Sequence, residues 1–208
     1  MGGQAQVIEL TMAEVEEQIR GCTLCDLSRT RTNAVPGEGN RNADIMFIGE
    51  APGFHEDREG EPFVGAAGKF LNEMLAAIDL DRSSVYITNV VKCRPPGNRD
   101  PLPDEIAACS TYIDRQIELV NPKVVVTLGR FSMSRWFPKE RISRIHGRPK
   151  RFGDITVVPM YHPAAALHQG SLRATIEADM KKLPQIVAQM EAEENEKDDP
   201  DAEQMRLF

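Results

Sequence analysis

Four apolar runs of strand length, at residues 44–48, 84–91, 123–128 and 155–160, are separated by stretches whose apolar residues recur at helical spacing. Strands alternating with helices predict an α/β fold: a parallel sheet covered by helices on both faces. In such sheets ligands collect beyond the carboxyl ends of the strands. Glu50, Asn89 and His162 each stand at the end of one of these runs, so the alternation sends three polar residues to one rim.

The first run opens into Gly49-Glu50-Ala51-Pro52-Gly53, and ten residues on comes Pro62-Phe63-Val64-Gly65. A helical pattern of Phe70, Leu71, Met74, Leu75 and Ile78 follows, which makes the segment a strand-to-helix loop. Its glycines let the backbone approach a ligand, Pro52 stiffens the turn, and Phe63 offers an aromatic face. That is the make-up of a pocket.

Further helices are expected over residues 11–20, where Thr11 and Glu14 have the spacing of a capping box, and over about 104–120. A short helix carries Phe131, Met133 and Trp136, and Ser171 is placed to cap a last helix running to about residue 190, bent near Pro184. Residues 94–103 hold four prolines and a glycine and exclude regular structure. One domain over residues 1–190 is expected, with 191–208 as a disordered acidic tail.

No apolar run reaches the length of a membrane span, and the N-terminus lacks the basic and apolar regions of a signal peptide. A cytoplasmic monomer is the expectation. The formal charge of -7 is unevenly spread: residues 191–208 hold eight acids against Lys197 and Arg206, a net -6, so the rest carries -1. Within that nearly neutral body, Lys139, Arg141, Arg144, Arg148, Lys150 and Arg151 face the single acid Glu140, and Lys92, Arg94 and Arg99 form a second group. Local patches of this kind can meet a phosphate backbone despite an acidic total.

The rim residues permit a particular chemistry. Asn89 can accept and donate side by side, which suits a nucleobase edge carrying an N–H next to a carbonyl. Phe63 can stack on the same base. A neutral His162 can donate to an oxygen on which negative charge develops, and Glu50 or Glu56 can orient a water. Together these suggest cleavage of a bond to a heterocyclic base, the base leaving as an anion. The cysteines add a second constellation: Cys22 and Cys25 form a close pair, while Cys93 and Cys109 stand further apart. In a reducing compartment metal ligation is the better first reading. Structural zinc and an iron-sulfur cluster both suit four thiolates, and the wide second gap leans toward the cluster.

Taken together, Gly49-Glu-Ala-Pro-Gly53 with Glu56-Asp57, Pro62-Phe-Val-Gly65, Thr88-Asn-Val-Val-Lys-Cys-Arg-Pro-Pro96, His162-Pro163 and the four cysteines resemble the family 4 uracil-DNA glycosylases. This is the iron-sulfur branch of that superfamily. The resemblance runs from Cys22 to about Lys182 and implies a three-layer α/β/α fold around a four-stranded parallel sheet. It implies a 4Fe-4S cluster on Cys22, Cys25, Cys93 and Cys109, and a flipped uracil stacked on Phe63, read by Asn89 and faced at its O2 by His162. Leu167 is the expected apolar wedge into DNA. Where archetypal uracil glycosylases carry a water-activating Asp this chain has Ala51, and where they carry a thymine-excluding Tyr it has Gly53. Both positions are expected to line the base pocket, with water activation passing to Glu50 or Glu56. Arg144-Ile145-His146 is similar to a loop of a branch that traps uracil covalently, yet it follows the third strand and reads as DNA-contacting surface.

The chain ends Gln204-Met205-Arg206-Leu207-Phe208, which resembles the short peptide by which bacterial repair proteins dock on the sliding clamp, through Gln204, Leu207 and Phe208. Two rival readings remain at this point: an iron-sulfur electron carrier or redox sensor, and a zinc-stabilised DNA-binding module without catalysis.

Overall fold

The computed structural model describes residues 10–197. They form one six-stranded sheet in the order β1-β3-β2-β4-β6-β5. Its strands are β1 (Glu38–Gly39), β2 (Ile45–Gly49), β3 (Tyr86–Asn89), β4 (Val124–Leu128), β5 (Lys150–Phe152) and β6 (Ile155–Met160). The central β3, β2, β4 and β6 are parallel, as the alternation of strand and helix requires. Every residue of β2, β3 and β4 is buried, the pattern of strands covered on both sides.

Alternate residues of these strands feed two cores. On one face Ile45, Phe47, Ile87, Val124, Val126 and Val158 pack with Phe70, Leu71, Met74 and Leu75 of α3 (Ala66–Ala76), Ile176 and Met180 of α8 (Ser171–Met180), and Leu183 and Ile186 of α9 (Leu183–Lys197). On the other, Met46, Ile48, Tyr86, Val125 and Val157 pack with Ile113 and Ile117 of α4 (Pro103–Val120) and Met133 of α5 (Arg130–Ser134). The architecture is three-layered. Each fully buried aliphatic or aromatic side chain contributes about 1.5–3 kcal/mol, so the two cores fix the sheet firmly. On the outer side of α4, Val15 and Ile19 of α1 (Met12–Arg20) pack with Tyr112 and Leu119. The capping box at Thr11 and Glu14 is formed as the sequence predicts.

The differences from the sequence reading lie at edges and ends. β1 pairs antiparallel with β3, and β5 with β6. Both edge strands are too short for a period to register, and β5 lies inside the basic stretch. Gly39 is indispensable to the first, because its φ of +112° is left-handed territory and a Cβ there would stand 1.9 Å from the Val85 carbonyl oxygen. Ser171 does not cap the last helical region. Gly170 holds that position, and the Ser171 hydroxyl accepts from Gln169 instead. The bend near Pro184 is a full break between α8 and α9. α9 continues to Lys197, past the boundary at residue 190. Glu191 reaches Lys123 and Glu193 reaches Arg151, which extends its hold on the sheet edge. Residues 198–208, with Gln204, Leu207 and Phe208, lie outside the described residues.

Candidate functional site

The carboxyl ends of β2, β3 and β6 carry Glu50, Asn89 and His162 to one cavity of about 370 Å³. Phe63, Ala51, Gly53 and Glu56 line the same space. Gly49 and Asn89 are register partners in β2 and β3. A Cβ on Gly49 would stand 2.3 Å from Asn89 Oδ1 and 2.6 Å from Phe63 Cζ, so the amide and the ring meet over the one residue with no side chain. Asn89 is buried, and its carbonyl accepts from Lys92 Nζ at 2.7 Å. Its side-chain amide has no protein partner among the described residues, which leaves both its donor and its acceptor to a ligand.

Phe63 is held in a left-handed backbone conformation, φ +54°, which costs about 1–2 kcal/mol for a residue with a Cβ. The surroundings impose it. Arg82 donates to the carbonyls of Pro62 at 2.6 Å and Phe63 at 3.2 Å while paired with Glu38 at 2.7 Å. Glu56 works from the other side: one carboxylate oxygen accepts from Val64 N at 3.0 Å and Gly65 N at 2.9 Å, the other from Gly53 N at 3.1 Å. The two arms of the loop are thereby stapled by a single side chain. Glu56 lines the cavity, but its oxygens are already engaged.

His162 stands just before α7 (Pro163–His168), and its Nδ1 accepts from Ala164 N at 3.1 Å. A ring nitrogen that accepts carries no hydrogen, so the proton of the neutral imidazole sits on Nε2. Burial pushes the imidazole down to about 4, with the Glu56 carboxylate partly offsetting it. His162 is therefore a neutral donor at ordinary pH. Its ring lies 5.5 Å from that of Phe63, centroid to centroid, with 24° between the planes. Glu50 Oε1 accepts from Phe131 N at 3.2 Å, against Gly129, where a Cβ would stand 2.4 Å from that oxygen. Burial raises the Glu50 carboxyl above its ordinary value, against the lowering effect of the Phe131 and Arg130 N–H groups.

The proline-rich segment supplies a wall that sequence reasoning did not assign: Pro95, Asn98, Arg99, Asp100 and Pro101 all line the cavity. Arg99 is clamped on Glu105 through two bonds of 2.9 and 2.6 Å, and Arg130 pairs with cavity-lining Asp100. Leu167 of α7 is 52 % exposed beside cavity-lining His168. His146 is elsewhere: its Nδ1 lies 2.6 Å from the buried Asp179 carboxylate, which also accepts from Lys182.

Lys92, which the sequence groups with Arg94 and Arg99 as a surface for phosphate, is instead an internal strut, because burial and three protein acceptors take it out of reach of DNA. It is fully buried, and its ammonium donates to Thr88 Oγ1, the Asn89 carbonyl and Gln116 Oε1 at 2.6–2.7 Å. Next to it begins the cysteine cage. Cys93 and Cys109 are buried and Cys22 and Cys25 half-buried; Cys25 and Cys22 act electrostatically on Cys93, and Cys93 and Cys25 on Cys109. Arg31 Nη1 donates to Cys93 Sγ at 3.0 Å and Leu24 N to Cys22 Sγ at 3.5 Å. Among the described residues no three such side chains close on a single-ion site. Four thiols are a donor set that structural zinc and an iron-sulfur cluster can both use. Burial pushes Cys109 up to about 11 and raises Cys93, against the lowering effects of Lys92 on the first and Arg31 on the second. The donor set fits an iron-sulfur cluster.

Comparison with known proteins agrees with the geometry. The uracil DNA glycosylase superfamily matches residues 36–183. The type-4 uracil-DNA glycosylase of Sulfurisphaera tokodaii is 50 % identical over 85 % of this chain and 84 % of its own length. That of Archaeoglobus fulgidus is 49 % identical over 85 % and 93 %, and that of Thermotoga maritima 42 % identical over 86 % and 96 %. With a superfamily match over residues 36–183 and relatives that align with 85–86 % of its length, the chain belongs to the uracil DNA glycosylase superfamily, in its type-4 branch.

Proposed function

We propose that this protein hydrolyses the bond between uracil and deoxyribose in DNA, leaving an abasic site for base excision repair. The observation that carries the reading is the meeting of the Asn89 amide, the Phe63 ring and the His162 imidazole in one cavity. A base inside a duplex cannot reach such a cavity, so the nucleotide is extruded, with Leu167 filling the space it vacates. Phe63 stacks on the extruded pyrimidine, and Asn89 pairs with its N3–H and O4. Ala51 and Gly53 leave room along its edge.

As the C1′–N1 bond breaks, its electron pair departs with the base, and charge gathers on O2. His162 Nε2–H donates to that oxygen. Water attacks C1′, oriented by Glu50, which takes its proton; Glu56 positions the loop that carries Phe63. Cys22, Cys25, Cys93 and Cys109 hold a 4Fe-4S cluster. When bound, that cluster supplies a cross-link between the N-terminal helix and the segment after Asn89, and no electron transfer is needed for hydrolysis.

The enzyme acts as a cytoplasmic monomer; no helix among the described residues is long and apolar enough to cross a membrane. Gln204, Leu207 and Phe208 dock on the sliding clamp. The decisive assay is incubation with an oligonucleotide holding one uracil, followed by alkali: strand scission at that position is the expected result, and an intact strand refutes the reading.

A further inference from the structure

Large apolar side chains left in water are few among the described residues, and three of them surround the cavity. Phe54, Leu102 and Leu167 are each next in sequence to a residue that lines it, namely Gly53, Pro101 and His168. Leu167 already has a task. Phe54 has none, although it is 46 % exposed at the start of α2 (Phe54–Glu59) and nothing in the core draws on it.

The helix that carries Phe54 is anchored at both ends of its short span. Asp57 is buried and accepts from Thr32 N at 2.8 Å, while Asn33 Nδ2 donates to the carbonyls of Asp57 and Arg58. Glu56 ties its base to the pocket loop. The ring is therefore an outward-facing aromatic surface on a fixed support. Two guanidinium groups lie over it, Arg94 at 5.1 Å and Arg58 at 5.7 Å from the centroid. Neither is paired with a carboxylate among the described residues; Arg94 is steadied only through Nε, which donates to Asn98 Oδ1 at 2.7 Å.

An aromatic ring flanked by two cations, one residue from a cavity for one base, matches a single-stranded polynucleotide. Such strands are held by stacking successive bases on aromatic rings while cations meet the phosphates. Exposed cation–π contacts are weak, so the guanidinium groups give way to a base and turn to its phosphate, or stack on it themselves. We propose that Phe54, with Arg58 and Arg94, is a second base-binding position, which stacks the unpaired base next to the extruded uracil on the same strand. The position deepens the glycosylase reading and rests on it. In a duplex the neighbouring bases stay paired and stacked on each other. The platform is thus filled in single-stranded DNA and empty, or nearly so, in double-stranded DNA.

The test compares the full-length protein with Phe54→Ala and Phe54→Trp on three uracil-containing oligonucleotides: single-stranded, double-stranded, and single-stranded with both nucleotides flanking the uracil replaced by baseless spacers. Phe54→Ala is expected to lower kcat/KM roughly tenfold on the ordinary single strand, the scale of one lost stack, and to match the parent on the other two. Phe54→Trp should restore it. With 2-aminopurine beside the uracil, binding should change its fluorescence in the parent and not in Phe54→Ala. Equal losses on all three substrates, or no loss on the single strand, would overturn the platform while leaving the glycosylase intact. A parent protein inert on every uracil substrate would overturn the glycosylase reading itself.

Discussion

Asn89 and Gly49 face each other across neighbouring parallel strands, and the Asn89 side-chain amide occupies the volume that any side chain at position 49 would fill. Gly49→Ala is therefore expected to displace the amide and the Phe63 ring together. Misplacement of about 1 Å costs on the order of 100-fold in rate, and the variant should lose that much while keeping its fold. Steady-state excision measured beside the circular dichroism spectrum checks both halves.

Removing the donor at His162 should cost about 3 kcal/mol of barrier, a 100- to 1,000-fold fall in kcat, as deletions of single oxyanion donors do. Single-turnover rates of His162→Ala against the parent give the value directly.

The acid limb of activity should belong to Glu50 and not to His162. Glu50 must be ionised to take a proton, and burial raises it, so kcat should fall as the pH drops toward a value above that of an ordinary Glu. His162 is neutral down to about 4 and stays competent through that range. Glu50→Gln should lower kcat and flatten the limb. The same imidazole shapes stability. Its folded value lies below the unfolded value of 6.5, so its neutral burial counts in full above 6.5 and is lost as the pH falls toward 4. Melting temperatures of the parent should drop more steeply than those of His162→Gln across that window.

Asn89→Asp turns the amide donor into a charged acceptor facing the O4 of uracil, and excision of uracil should fall sharply. Phe63→Ala should cost roughly 1–3 kcal/mol in kcat/KM through lost stacking. Competition between uracil- and cytosine-containing oligonucleotides would reveal whether the altered edge now admits cytosine.

The purified protein should be coloured, with broad visible absorption that disappears on Cys93→Ala or prolonged chelation, and its melting temperature should fall with the colour. A colourless protein holding stoichiometric zinc would contradict the cluster, since zinc has no such transitions.

The parallel core and the convergence of Glu50, Asn89 and His162 were legible because each ends an apolar run, and runs can be read residue by residue. The supports of the site were not. Arg82 and Glu38 stand far apart in sequence, and so do Lys92 and Gln116, and no local pattern announces that one will hold the other. The same holds for Phe63: a positive φ on an aromatic residue follows from Arg82, which holds its carbonyl, and Gly68, whose missing side chain leaves room for that carbonyl, not from its own propensity. Glu56 was legible as an acid near the pocket, whereas its use as a staple depends on three N–H groups that only the folded loop aligns.

His162 and Leu167 belong to one short structural unit, since the cavity-lining imidazole also caps the helix that bears the leucine. In the proposed reaction, probing the double helix and arming the chemistry are thus mechanically one act. An engineer who reshapes residues 164–168 to seek other lesions will disturb turnover along with targeting, and selection on either trait alone will drag the other with it.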